Sequence, residues 1–236
     1  MTEHTTARDA NRATTDWAID YDVEPIEIRD PVAEALTVLA PGEPFVVTYE
    51  DVVKAAGHSC PTAAGAYRIT QFGLDALYPE TLPVRSDVEV SAAGSRDDAA
   101  YGVMGRLVSY VTGAAEEDGF AGLGGGYGDR RDLLTFGAFE ADSPDPTFRF
   151  RRTDTDETVE VAYHVGEVPE GGPAIGNLGQ ILEGSASEDQ RAAFADAWDR
   201  RVQAVLDDDS LFAVSVDIPA AGESEMELSE GDRPQG

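Results

Sequence analysis

The 236-residue sequence predicts an α+β fold, a single domain in which helices pack on an antiparallel or mixed sheet. Three observations carry this. Helix-periodic segments with recognisable caps fill 31–78 and 187–206, alternating strand-like segments fill 133–165, and the two kinds come in runs rather than in strict alternation. An apolar fraction of 42% is enough to build a core.

The elements follow in order. Residues 1–24 form a polar arm in which only Trp17, Ile19 and Tyr21 offer surface to bury, so the arm is expected to be mobile with its aromatic part docked. The domain proper is expected over 25–218. Asp30-Pro31 is a start signal for a helix to Ala40, with Val32, Ala35, Leu36 and Leu39 at helical spacing. Thr48 caps a second helix, Tyr49 to Ala56, which Gly57 ends. Pro61 favours the first position of a third, running to Tyr78, because its missing N–H would have no partner there. Cys60 is then its N-cap. Ala63, Ala64, Gly65 and Ala66 keep the first turn small enough for something to approach closely.

Leu82–Ala92 reads as a strand and Ala99–Thr112 as a helix ended by Gly113, followed by a glycine-rich loop from Gly119 to Gly128. Leu133–Phe139, Thr147–Thr153 and Val159–Val165 read as an antiparallel meander. Ser187 opens an amphipathic helix whose stripe of Phe194, Trp198, Val202 and Leu206 reads as core, and Leu211–Ile218 closes the domain as a strand. The segment 219–236 is acidic and Gly/Ser/Pro-rich, a composition expected to be disordered.

Charge narrows the function classes. The net charge is −29, with 46 acidic against 17 basic residues spread along the whole chain, and Lys54 is the only lysine. Such a surface suits a cytoplasm of high ionic strength, where screening removes self-repulsion. No basic stripe exists to displace counterions from phosphates; Arg149, Arg151 and Arg152 are followed at once by Asp154, Asp156 and Glu157, so nucleic acid is not an expected partner. No run of 18 apolar residues and no signal-like leader is present, so a membrane is not expected either, and the protein is read as cytoplasmic. The lone cysteine excludes an intramolecular disulfide and a multi-cysteine zinc ribbon.

Gly57-His58-Ser59-Cys60-Pro61-Thr62 carries most of the chemistry. A thiol at the start of a helix meets free backbone N–H groups and the positive end of the dipole, both of which favour thiolate. Alternate residues of an extended segment share a face, which would put the His58 ring and the Cys60 sulfur on one side. That pairing suits zinc or another divalent transition metal, but zinc needs at least three protein donors. His164 is the remaining candidate histidine, Asp97 and Asp98 are carboxylate candidates, and a twin site between two copies is an alternative. The plainer reading makes Cys60 a small buried cap and His58 a turn residue bonded to backbone. Two further readings are a Cys60 nucleophile with His58 as base, and a module without catalysis. Such a module would bind haem or another tetrapyrrole through His58 on the small-residue helix face, or assemble with a partner. The glycine-rich loop with Arg130 and Arg131 could cradle an anionic small molecule, or be a flexible surface loop.

With His58-Ser59-Cys60-Pro61, the helix start Ala63-Ala64-Gly65-Ala66-Tyr67-Arg68, Val111-Thr112-Gly113 and Leu133-Leu134-Thr135-Phe136-Gly137, the chain resembles the family of E-type subunits of formylmethanofuran dehydrogenase. The resemblance covers roughly Val46 to Gly137 and implies an α+β domain, a homodimer, and a divalent metal near the His-x-Cys segment. It adds Arg68 as a residue lining a ligand pocket. Thr62 stands where the family motif has glycine, Ala114-Ala115 stand where a second cysteine is usual, and the zinc ribbon of many members is absent, so any metal site must differ from the fullest family version.

Overall fold

In the computed structural model, which describes residues 15–218, apolar residues alternate on the central strands and set the two faces of the sheet. The elements in chain order are β1 (Ile26–Ile28), α1 (Pro31–Ala35), β2 (Phe45–Val47), α2 (Tyr49–Ala56), α3 (Pro61–Leu77), β3 (Val88–Ala92), α4 (Ala99–Thr112), β4 (Leu134–Phe136), β5 (Thr147–Arg152), β6 (Thr158–Tyr163), α5 (Leu178–Leu182), α6 (Glu188–Asp207) and β7 (Phe212–Asp217). The expected α+β architecture is present as one domain: a five-stranded sheet of order β4-β3-β5-β6-β7 and a small antiparallel pair, β1 with β2.

Val88, Val90, Phe148, Phe150, Val159, Val161 and Tyr163 are buried under the α3 and α4 layer, and Ala63, Ala64, Ala66, Ile69 and Leu74 of α3 are equally sealed. The opposite face carries cross-strand ion pairs, Arg149 Nε to Glu160 (2.7 Å) and Arg151 Nη1 to Glu89 (2.6 Å). Opposite charges placed directly across antiparallel strands favour this register. The sheet is therefore a one-sided platform, and α3 runs across it with α2, α4 and α6 against its flanks.

Helix ends follow the local sequence. Thr48 and Asp51 form a capping box on α2, and Gly57 closes it with φ +78°, a left-handed conformation that only glycine adopts at no steric cost. Gly65 and Gly73 bring α3 onto the sheet: a Cβ at Gly65 would run into the Tyr163 ring, and one at Gly73 into Phe150.

Three expectations are corrected. Helix α1 stops at Ala35 rather than Ala40, since Thr37 takes φ +58° and Leu36 and Val38 point into solvent. Strand β4 is not the first strand of a meander; it pairs parallel with β3 through the α4 crossover, and the antiparallel run is β5-β6-β7. The long strand expected from Leu82 is regular only from Val88, with Val84 making one bridge to Arg29.

Tyr21 is buried, and Trp17, Ile19 and Val23 pack beside it against the core, so the aromatic part of the arm docks. The rest of the arm, through residue 14, and the acidic segment 219–236 lie outside the described residues. No helix among the described residues is long and apolar enough to cross a membrane.

Candidate functional site

The His-x-Cys segment sits where α2 ends, α3 begins and α6 passes over both. Cys60 is extended (φ −158°, ψ 164°), as an N-cap must be, and its Sγ accepts the Ala63 N–H at 3.4 Å. The residue is only 9% exposed. Ser59 ties the segment down: its hydroxyl is 3.0 Å from Tyr49 Oη, and its carbonyl accepts the Trp198 indole N–H at 2.8 Å. Trp198 is thus a clamp, using the polar end of an otherwise apolar side chain; it is half-buried against the core, and Phe194, expected in the core, is half-exposed and stacks on it.

Tyr21, Tyr49 and Tyr67 continue the seam as two edge-to-face contacts, each with ring centroids 5.6 Å apart. Tyr67 Oη donates to the Glu24 carbonyl at 2.9 Å, and Tyr163 Oη to the Pro61 carbonyl at 3.2 Å. Burial pushes all four phenols well above the usual tyrosine range, so they act as neutral donors and apolar walls. None of these tyrosines was identified from sequence as part of the site. The available signal was Tyr49 and Tyr67 at buried helix positions flanking the His-x-Cys segment.

The expected shared face for His58 and Cys60 is corrected. The imidazole stands in solvent, while the sulfur lies beneath the first turn of α3. His58 Nδ1 is 3.1 Å from the Ala56 carbonyl. A carbonyl can only accept, so Nδ1 carries the proton in the neutral ring and Nε2 keeps its lone pair. His164 is built likewise, with Nδ1 2.9 Å from Asp145 Oδ2, a carboxylate at the turn before β5. It is not gathered with the other two. Asp98 is spent as the N-cap of α4, accepting from Ala100 and Tyr101. Among the described residues no three His, Cys, Asp or Glu side chains are placed to hold an ion, so these residues do not by themselves make a complete zinc site.

The arginines expected to meet a ligand meet the protein's own carboxylates. Arg130 Nη2 lies 2.7 and 2.8 Å from the two oxygens of Asp30, a residue 3% exposed. Arg85 approaches the same carboxylate at 3.4 Å and donates to the Val111 and Tyr110 carbonyls. Burial would raise the Asp30 pKa, but the Ala33 N–H and the two guanidinium charges outweigh it and hold the carboxyl below its ordinary value. Arg131 pairs with Asp129, and Arg68 pairs with Gln71 and Asp209 while lying 4.4 Å over the Phe72 ring. The glycine-rich loop is packed at its ends, while Gly124, Gly125 and Gly126 between them are exposed. Gly128 sits against Val32 of α1 at φ +70°, and the Phe120 carbonyl accepts the Arg130 N–H. Likewise the small-residue face of α3, expected to receive a planar ring ligand, is covered by the ring of Tyr163.

No family model matches this chain, and no curated protein matches its sequence.

Proposed function

We propose that this is a metal-binding protein of the formylmethanofuran dehydrogenase E type, in which the exposed His58 is the chain's donor to a divalent ion, with zinc the best chemical match, while the buried Cys60 caps α3 behind it. The observation that carries the reading is the Nδ1–H contact of His58 to the Ala56 carbonyl. Metal-ligating histidines as a rule donate the second ring N–H to a carbonyl or carboxylate, which fixes the tautomer and aims the other nitrogen outward. One donor leaves zinc well short of its usual set, so the remaining positions fall to water, a small ligand or donors outside one chain. His164, with Asp145 behind it, is a second histidine of the same construction and stands as a separate weak donor.

We place the protein in a cytoplasm of high ionic strength, on the strength of its net charge of −29 and its single cysteine. The test is zinc binding by tag-free protein, measured by competition with a chromophoric chelator. His58→Ala should abolish binding, and Cys60→Ser should leave both binding and fold intact, since serine also caps a helix. Binding by His58→Ala equal to that of the wild type ends the proposal.

A further inference from the structure

Strand β7 is an edge without the usual protection. It pairs only with β6, so its outer row of N–H and C=O groups has no partner among the described residues. Its neighbours Val159 and Val161 are 0% exposed beneath α3; that helix also meets the start of β7, where Phe72 packs on Phe212, but leaves the rest of the strand uncovered. Val214, Val216 and Ile218 on the same face are 42%, 52% and 67% exposed. Edge strands in monomers are ordinarily blunted by shortness, proline, bulges or charge. The opposite edge, β4, is three residues long; β7 has six, with no proline, no lysine and one acid at its end. A groove of about 270 Å³ runs beside it, apolar where Leu77, Val216 and Ile218 line it and charged where Glu80, Arg152 and Glu157 do.

We propose that β7 pairs antiparallel with β7 of a second copy about a two-fold axis at Ser215, joining two five-stranded sheets into one of ten. The sequence is self-complementary in that register. Val214 faces Val216 of the second copy and Phe212 faces Ile218, while Ser215 meets its own image and Asp217 meets Ala213. Apolar residues thus oppose apolar residues on the helix side, and the two Asp217 carboxylates stay about 13 Å apart at ~3.3 Å per residue. The chain's other segments are poor occupants. Residues 1–14 and 219–236 hold no valine, isoleucine, phenylalanine, tyrosine or tryptophan with which to match the row. On a chain of net charge −29, a strand with a single carboxylate also adds little repulsion of its own between two copies. This inference stands apart from metal binding and uses none of its donors.

The experiment is light scattering after size exclusion on the full chain in about 2 M KCl, where the Debye length falls below ~3 Å and charge repulsion is suppressed. The wild type should be a dimer. Ser215→Glu, which sets two carboxylates face to face, and Val216→Lys should each raise the dissociation constant at least about a hundredfold with unchanged circular dichroism. Ser215→Cys should form a covalent dimer on mild oxidation, because residues paired across antiparallel strands have Cα atoms about 4.5–5.5 Å apart, within disulfide reach. Ala213→Cys should not. A monomeric wild type, a dimer indifferent to both substitutions, or equal cross-linking at 213 and 215 overturns the proposal; capture of a different partner by a monomeric chain does so as well.

Discussion

Removing the charge of Asp30 tests the most heavily buried electrostatic arrangement in the fold. The carboxylate is 3% exposed, caps α1 through the Val32 and Ala33 N–H groups, and is the shared counter-charge of Arg130 and Arg85. Asp30→Asn keeps an oxygen for the cap and removes only the charge; Asp30→Ala removes both. Breaking a buried ion pair by deleting one partner costs about 3–5 kcal/mol. The two guanidinium side chains retain 16% and 14% exposure, so the lower end of that range applies, near 3 kcal/mol for Asp30→Asn. Loss of the cap adds about 1 kcal/mol for Asp30→Ala. At about 2–4 °C per kcal/mol for a domain of this size, the melting temperature should fall by roughly 6–12 °C for Asn and 8–16 °C for Ala. Because the folded carboxyl has a lowered pKa, its contribution is complete above the unfolded value of about 3.9 and disappears as pH falls through the folded value. Calorimetry of wild type and Asp30→Asn should therefore converge in acid. An Asn variant within about 1 kcal/mol of wild type at neutral pH would refute the reasoning, by showing that water already solvates both guanidiniums.

Three other outcomes follow from the same geometry. Gly65→Ala should lower stability by about 1–2 kcal/mol despite alanine's better helix propensity, because the new methyl meets the Tyr163 ring. Tyr163→Leu should absorb part of that loss in a double-mutant cycle read by urea denaturation. Cys60 should resist a bulky alkylating reagent in the folded protein and react fully in denaturant, as followed by mass spectrometry; rapid labelling of the native chain would contradict its place under α3. Raising KCl from ~0.1 M to ~2 M should raise the melting temperature, since screening relieves the repulsion of a −29 chain; a flat or falling profile would separate the acidic composition from salt adaptation.

How much was legible in the sequence depended on how local each signal is. The Thr48 cap of α2, the Gly57 and Gly113 stops, and Cys60-Pro61 opening α3 are written in adjacent residues, and all take the expected positions. The parallel pairing of β4 with β3 was not legible, because three residues carry no strand direction; only the helix-length gap between them hinted at a crossover. The three-residue strands β1 and β2 were likewise too short to show a period. At the site, the cap role of Cys60 and the backbone contact of His58 were readable from spacing. The partners of Arg68, Arg130 and Arg131 were not: Asp30 lies 100 residues from Arg130, and Asp209 lies 141 from Arg68. The same limit hid the hold of Trp198 on Ser59.

The most direct test of the functional account is zinc competition on tag-free wild type beside His58→Ala and His58→Gln. The account predicts a bound ion on the wild type and none on either variant, with folding and Cys60 reactivity unchanged. Zinc held equally by all three would contradict it.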